Sequence, residues 1–386
     1  MVLLSIDSLR ADMPWAGYSR PIAPRLTELE KKAVSYTRAY SVSSYTSMSL
    51  GGMLGGKIPS GLVRSGFFFG FYSPENLMFP ELLQKGGVHT MGVHAHFYFQ
   101  KAGMEQGFDN WEVVPGISTD NTTDKNITSP QSLELAIKAL SDERCKKGRF
   151  FFWAHFLDPH DVYMKHPNVE PFGKSERDKY DGEVKYTDEY VGKLVDFVQQ
   201  QPWADRTVVI ITSDHGEAFG EHGMSRHGFE VWENLVRIPL FILAPGAAPR
   251  RIDVRRSAID LAPTILELTG TPAEASFEGK SLVKEIYGET AEPRDIVVDL
   301  PTTSDSDRRR ALIHGNDKLI CSGNDKNCRA FDLEADPTED KPIARGEKYT
   351  SLFALYQAHA KTITEKPTTK CKAGCLNGAY SRNVNP

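Results

Sequence analysis

SDHGEAFGEHGMSRHG, Ser213 to Gly228, comes just after Thr207-Val208-Val209-Ile210-Ile211, a β-branched run about as long as a buried strand. In open α/β sheets ligands sit beyond the carboxyl ends of the strands, which puts Asp214 and His215 where chemistry gathers. Carboxylate oxygen and imidazole nitrogen are both good ligands for a divalent transition metal. His222 and His227 follow in the same glycine-punctuated loop. A polar loop closing a core strand has the same composition, so the rest of the chain must decide between the two.

Other strands end the same way. Val2 to Ile6 is apolar and stops at Asp7, while Asp12 is expected to pair with Arg10. RFFFWAHFLDPHDVY runs from an apolar strand into His155, Asp158 and His160. His155, between Ala154 and Phe156, reads equally as a core histidine; His160, after Asp158-Pro159, is better placed for chemistry. The stretch SVSSYTSMSLGGMLGGKIPS, Ser41 to Ser60, offers helix caps and a candidate hydroxyl nucleophile. Its paired glycines would let a helix pack closely on a sheet, although a capped helix in a loop fits the composition as well.

Apolar spacing predicts helices over Pro24 to Ala39, Pro130 to Leu140, Asp178 to Gln200 and Asp260 to Leu268. Further strands are expected at Val88 to Val93 and Val236 to Gly246. This alternation implies a layered α/β domain with a mostly parallel sheet. Beyond Glu289 the pattern changes to short strands between polar turns, then a helix from Thr350 to Thr362. The expected division is a catalytic domain over 1–289, a small antiparallel α+β subdomain over 290–366, and a loosely ordered tail over 367–386.

The 386 residues, 40% apolar and 25% charged with net charge −5, describe an ordinary globular chain and give no sign of a nucleic-acid partner. The clusters Arg250-Arg251, Arg255-Arg256 and Arg308-Arg309-Arg310 read as solvated faces. No apolar run approaches the roughly 18 residues of a membrane span. Met1 leads straight into a strand, which raises the expectation of an upstream signal or anchor. Cys321 with Cys328, and Cys371 with Cys375, form two close pairs that suit disulfides in an oxidising, extracytoplasmic compartment, leaving Cys145 free. Sequons begin at Asn121 and Asn126.

Taken together, IDSLRAD, the hydroxyl-rich stretch ending in Gly-Gly-Lys, HFLDPHDVY, SDHGEAFGEHG with RIPLFILAPG, and KLI…FDLEADPTED resemble the alkaline phosphatase superfamily in its sulfatase-like branch. The resemblance implies a three-layer α/β/α sandwich with a small C-terminal subdomain. It also implies metal-assisted attack of an enzyme nucleophile on a phosphate or sulfate ester, through a covalent intermediate.

Sulfatases carry Cys or Ser, oxidised to formylglycine, in a C-x-P-S-R motif. Here Thr46 stands at that place, without the proline or the arginine. The pattern is more similar to phosphoethanolamine transferases and lipoteichoic acid synthases, whose nucleophile is threonine. By that resemblance Asp7, Thr46, Asp214 and His215 are the metal ligands, and Thr46 is the nucleophile. His160 and His227 would serve as catalytic cations or acids, and Arg226 and His155 as substrate-binding groups. The calcium sulfatases' second aspartate is replaced by Ser8, so Zn²⁺ or Mn²⁺ is expected rather than Ca²⁺, with room for a second, weaker metal site. His222 is expected to be structural. The leading expectation is a phosphate-ester or phosphodiester hydrolase or transferase. The alternatives are a sulfuric ester hydrolase without formylglycine, and a silent relative that binds anionic glycans or lipid headgroups. Substrates would be small-molecule, lipid-headgroup or glycan esters.

Overall fold

The computed structural model describes residues 1–117 and 127–368; both sequon asparagines, the second cysteine pair and nearly all of the expected tail lie outside them. Eight strands make the central sheet. They are β1 (Val2–Ile6), β2 (Val34–Tyr36), β3 (His89–His94), β4 (Asn110–Val113), β5 (Phe150–Phe156), β6 (Val209–Ser213), β7 (Leu240–Leu243) and β8 (Arg250–Ile252). Their order is β8-β2-β7-β6-β1-β5-β3-β4. Every neighbour pair is parallel except those made by β7, which runs against both β2 and β6. The sheet is therefore mostly parallel, as expected.

Alternation along β1 assigns the two faces. Leu3 packs with α2 (Thr46–Gly55), α3 (Phe79–Lys85) and α6 (Leu261–Leu268). Val2, Leu4 and Ile6 pack with α1 (Pro24–Glu30), α4 (Ser129–Leu140) and α5 (Glu176–Gln199) on the other side. Helices cover both faces, which completes the three layers.

The helix predicted over Pro24 to Ala39 is present only in its first part. It stops at Glu30, and Val34-Ser35-Tyr36 joins the sheet as β2. Leu26, Leu29 and Ala33 keep to one face while Val34 and Tyr36 pack on the opposite one. A β-branched residue and an aromatic residue two apart gain more from a pleated, buried surface than from another helical turn. Pro239 interrupts the expected Val236–Gly246 strand, since it cannot donate to a ladder.

The C-terminal sheet is antiparallel in the order β9 (Ile296–Leu300), β10 (Arg309–His314), β11 (Asp317–Ser322), β12 (Asn327–Asp332), with α7 (Glu347–Thr362) packed on it. Cys321 and Cys328 form a disulfide between β11 and β12, and Cys145 is free and buried. Val298 and Ile313 share a core with Tyr40, Tyr45 and Met48, so this sheet backs the start of α2. Two arginine clusters are not solvated faces. Arg256 is buried against Glu285 at 2.6 Å, and Arg310 against Asp299 at 2.8 Å, because a planar guanidinium matches a carboxylate well enough to be carried inside. Among the described residues no helix is long and apolar enough to cross a membrane.

Candidate active site

β1 lies between β5 and β6 with Ile6 level with Phe156 and Ser213, so three parallel strands deliver their next residues to one place. Asp7 comes from β1, and Asp214 and His215 from β6. Ser213 binds the two ends together, donating to the Ile6 carbonyl at 2.7 Å and accepting from the Leu9 N–H at 3.0 Å. Thr46 opens α2 and brings its Oγ1 to 3.3 Å from Asp7 Oδ2 and 3.2 Å from His215 Nε2.

The tautomer of His215 follows from its other nitrogen. Nδ1 lies 2.8 Å from the Gly216 carbonyl, which only an N–H can satisfy. Nε2 therefore offers a bare lone pair, 3.3 Å from Asp214 Oδ2 and 3.6 Å from Asp7 Oδ1. Asp214 Oδ1 accepts from the Ser8 and His215 amides, but its Oδ2 is buried with no hydrogen-bond partner. Such a buried acceptor is costly unless a cation satisfies it. Ligand atoms of Asp7, Asp214 and His215 all lie within 4.8 Å of one another, and no other such trio converges among the described residues. The donor set thus fits a divalent metal. The carboxylates also need one: burial and then the charge of Asp7 push Asp214 upward. Burial holds His215 down, in the neutral form a metal takes. Asp7 is itself fully buried, yet His160, His155 and His215 outweigh that and keep it well below the usual carboxylate range.

His155, expected from the resemblance to bind substrate, stands behind Asp7. It is fully buried, with Nε2 at 3.2 Å from Asp7 Oδ2 and Nδ1 at 2.8 Å from Ser5 Oγ. It positions the carboxylate from behind, as ligand-supporting residues do. Ser8, in the place of the second aspartate, does similar work: its hydroxyl donates to Asp7 Oδ1 at 2.9 Å.

The other predicted residues ring the cluster. His227 lies 4.2 Å from His215 and 5.1 Å from His160, ring centre to ring centre. Arg226 pairs with Asp161 at 2.9 Å, beside His160. Asp12 pairs with Arg10 as expected, and His222 stacks on Trp232 at 3.9 Å. The neighbouring hydroxyls that could replace Thr46 are buried: Ser47 bonds Tyr98 Oη at 2.9 Å, and Ser44 is wholly enclosed. The α2 glycines do not serve close approach to the sheet. A Cβ at Gly51 would lie 2.1 Å from the Tyr72 ring, whose hydroxyl holds the Ser47 carbonyl.

Glu217 was missed in the sequence, although it stands two residues past His215. It is fully buried, accepts from Tyr163 Oη at 2.9 Å, and lies 3.2 Å from His227 Nδ1. Burial opposes its charge, but His227 outweighs burial and holds Glu217 below the usual range. The pair fixes the His227 proton on Nδ1 and orients the ring. Glu217→Gln should lower kcat by about tenfold to a hundredfold with bound metal unchanged. An unaltered kcat would leave Glu217 a purely structural residue.

The layered sheet, the carboxylate–imidazole cluster and the hydroxyl at one helix start agree with the resemblance carried by the sequence motifs. The sequence profile of the sulfatase family matches residues 1–271, and that of the N-sulphoglucosamine sulphohydrolase C-terminal region matches 220–366. The chain belongs to the sulfatase family. A choline-sulfatase of Rhizobium meliloti is 31% identical over 190 residues, covering 48% of this chain and 36% of the relative. Human N-acetylgalactosamine-6-sulfatase is 25% identical over 348 residues, covering 73% and 65% respectively. The chain spans less than two-thirds of the length of either. The phosphonate monoester hydrolase of Agrobacterium radiobacter superposes with a TM-score of 0.78 at 16% identity, covering 94% of both chains.

Proposed function

We propose that the protein is a metal-dependent hydrolase of sulfuric esters of small molecules or glycans, working through unmodified Thr46. The observation that carries this is Thr46 Oγ1 at hydrogen-bond distance from both Asp7 and the bare nitrogen of His215. Asp7, Asp214, His215 and Thr46 would hold the metal, Zn²⁺ or Mn²⁺ by their mixed oxygen and nitrogen donors. When bound, such an ion lowers the pKa of the threonine hydroxyl and polarises the ester. Thr46 gives up its hydroxyl proton to solvent on ionising, its Oγ1 attacks sulfur, the ester S–O bond breaks, and the alcohol leaves with a proton from His227 or His160. Water cleaves the covalent ester on Thr46 and returns the enzyme. Arg226 takes an anionic oxygen of the substrate, exchanging part of its contact with Asp161. The Cys321–Cys328 disulfide supports an extracytoplasmic location.

A second reading, a phosphoric or phosphonic monoester as substrate, is favoured by one observation: a single threonine hydroxyl stands where formylglycine would be. Nitrophenyl sulfate, nitrophenyl phosphate and nitrophenyl phenylphosphonate, assayed with metal content on one sample, separate the two. Sulfate turnover at least about tenfold above the others in kcat/KM is expected. Phosphorus esters turned over faster would reverse the order, and bound metal without turnover of any ester would leave a binding protein.

A further inference from the structure

A cavity of about 240 Å³ lies where the C-terminal sheet meets the rest of the chain, and none of its lining residues belongs to the metal cluster or to the histidines around it. Three arginines line it. Arg38 has a carboxylate of its own, Asp253 at 2.8 Å. Arg237 and Arg255 have none among the described residues, and both rest on neutral oxygens. Arg237, partly buried, donates Nε and Nη2 to the Thr37 carbonyl at 3.2 and 2.7 Å. Arg255 is only 9% exposed, donates Nη2 to Asn316 Oδ1 at 2.9 Å, and keeps a buried Nε with no hydrogen-bond partner. A charged donor held out of water without an acceptor is costly unless the cavity supplies one.

The cations converge. Asn316 Oδ1 accepts from Arg38 Nη1 as well, at 2.9 Å, so two guanidiniums meet at one oxygen. Tyr40 shows that Arg237 faces the same space: burial and then Glu233 push its hydroxyl upward, while Arg255 and Arg237 both oppose them. The acids in the wall are engaged elsewhere. Glu233 lies 3.1 Å from Lys318 Nζ, Asp253 is taken by Arg38, and Glu334, which is exposed, bonds the Asn316 side-chain amide. What remains uncompensated is positive. A guanidinium fork matches the oxygens of a phosphate or its analogues, and the cavity is smaller than the clefts of about 300–1,000 Å³ that take larger ligands.

We propose that this cavity is a second anion site, separate from the metal cluster, in which Arg237 and Arg255 hold a free tetrahedral oxyanion such as sulfate or phosphate. Asn316 stands in the turn between β10 and β11, whereas both arginines come from the chain around the central sheet, so the bound ion ties the C-terminal sheet to the rest of the protein.

Equilibrium dialysis of the full, metal-loaded chain against radiolabelled sulfate, and separately against phosphate, tests this. Arg255→Gln should bind one oxyanion fewer per chain than the wild type, or hold it at least about tenfold more weakly, as the loss of a charge-assisted contact implies. Arg237→Gln should act in the same sense, and at this less buried position it guards against an Arg255 variant that fails to fold. Thermal melting gives a second readout. The bound ion should raise the wild-type midpoint above that in sodium chloride of equal ionic strength, and the rise should shrink in both variants, which separates the site from the general effect of sulfate on folded proteins. Binding of either ion that is lost in the variants supports the site. Binding of neither ion by the wild type, or equal stoichiometry and affinity in all three proteins, would overturn it. The readouts are binding and melting, so failure to turn over any ester would leave this proposal standing.

Discussion

Thr46→Ala is expected to cut turnover by at least about a thousandfold on whichever ester proves to be the substrate, with the fold intact. The size follows from the geometry: among the described residues Thr46 Oγ1 is the one hydroxyl within 3.3 Å of both Asp7 and the bare nitrogen of His215. No neighbour can stand in. Ser47 is committed to Tyr98, and Ser44 has no exposure at all. Folding should be indifferent, because Tyr45, not Thr46, precedes the first helical turn, and the helix has no side-chain cap to lose. A change in stability within about 1 kcal/mol, read from the denaturant midpoint, is the expected control. Thr46→Ser should recover part of the rate, and intact-protein mass spectrometry of the quenched wild type should find the ester on this residue. Full activity in the alanine variant would remove the nucleophile and with it the mechanism.

The second large effect concerns the metal. Asp214→Asn should lose the ion and at least about a hundredfold in rate, and a chelator should do the same to the wild type. The substitution should also act in the opposite direction on the metal-free protein. Asp7 and Asp214 are both buried and close enough to share His215, and burial first, then the charge of Asp7, push Asp214 upward. A carboxyl whose folded pKa is raised destabilises the fold as pH rises past its unfolded value, so near neutral pH the metal-free wild type pays this penalty. Metal-free Asp214→Asn should consequently melt higher than metal-free wild type at pH 7, whereas the loaded wild type melts highest of all. A metal-free variant that melts lower would show that the buried charge of Asp214 does not destabilise the metal-free fold. Retained metal would remove Asp214 from the ligand set.

Much of this was legible in the chain. Apolar runs ending in Asp7, Asp214 and His160 marked the strand tips, because a buried parallel strand is continuous in sequence and its polar terminus stands out. The mostly parallel sheet and the antiparallel C-terminal strands followed from the same pattern. What was not legible depended on pairing across the chain. The strand at Val34 was hidden in helical spacing, since only its neighbours β7 and β8 make it a strand. The role of His155 turned on which way one side chain points from a fully buried strand, a choice invisible at Ala154-His155-Phe156. Glu217 could have been found as a carboxylate two residues beyond a ligand, yet its partners, Tyr163 and His227, are brought to it only by folding. The buried arginines illustrate the same limit: a guanidinium reads as surface until its carboxylate is located.

The place of β1 in the sheet has a consequence for how the protein is made. It pairs Val2 with Phe152 on one side and with Val209 on the other. The ribosome therefore releases this strand long before either partner exists, and at typical elongation rates of about 5–20 residues per second the wait is on the order of ten seconds or more. Throughout that interval Val-Leu-Leu-Ser-Ile is an unpaired, apolar edge, the kind of segment that nascent-chain chaperones shield. Until residue 213 has emerged and docked, neither the middle of the sheet nor the metal site can form.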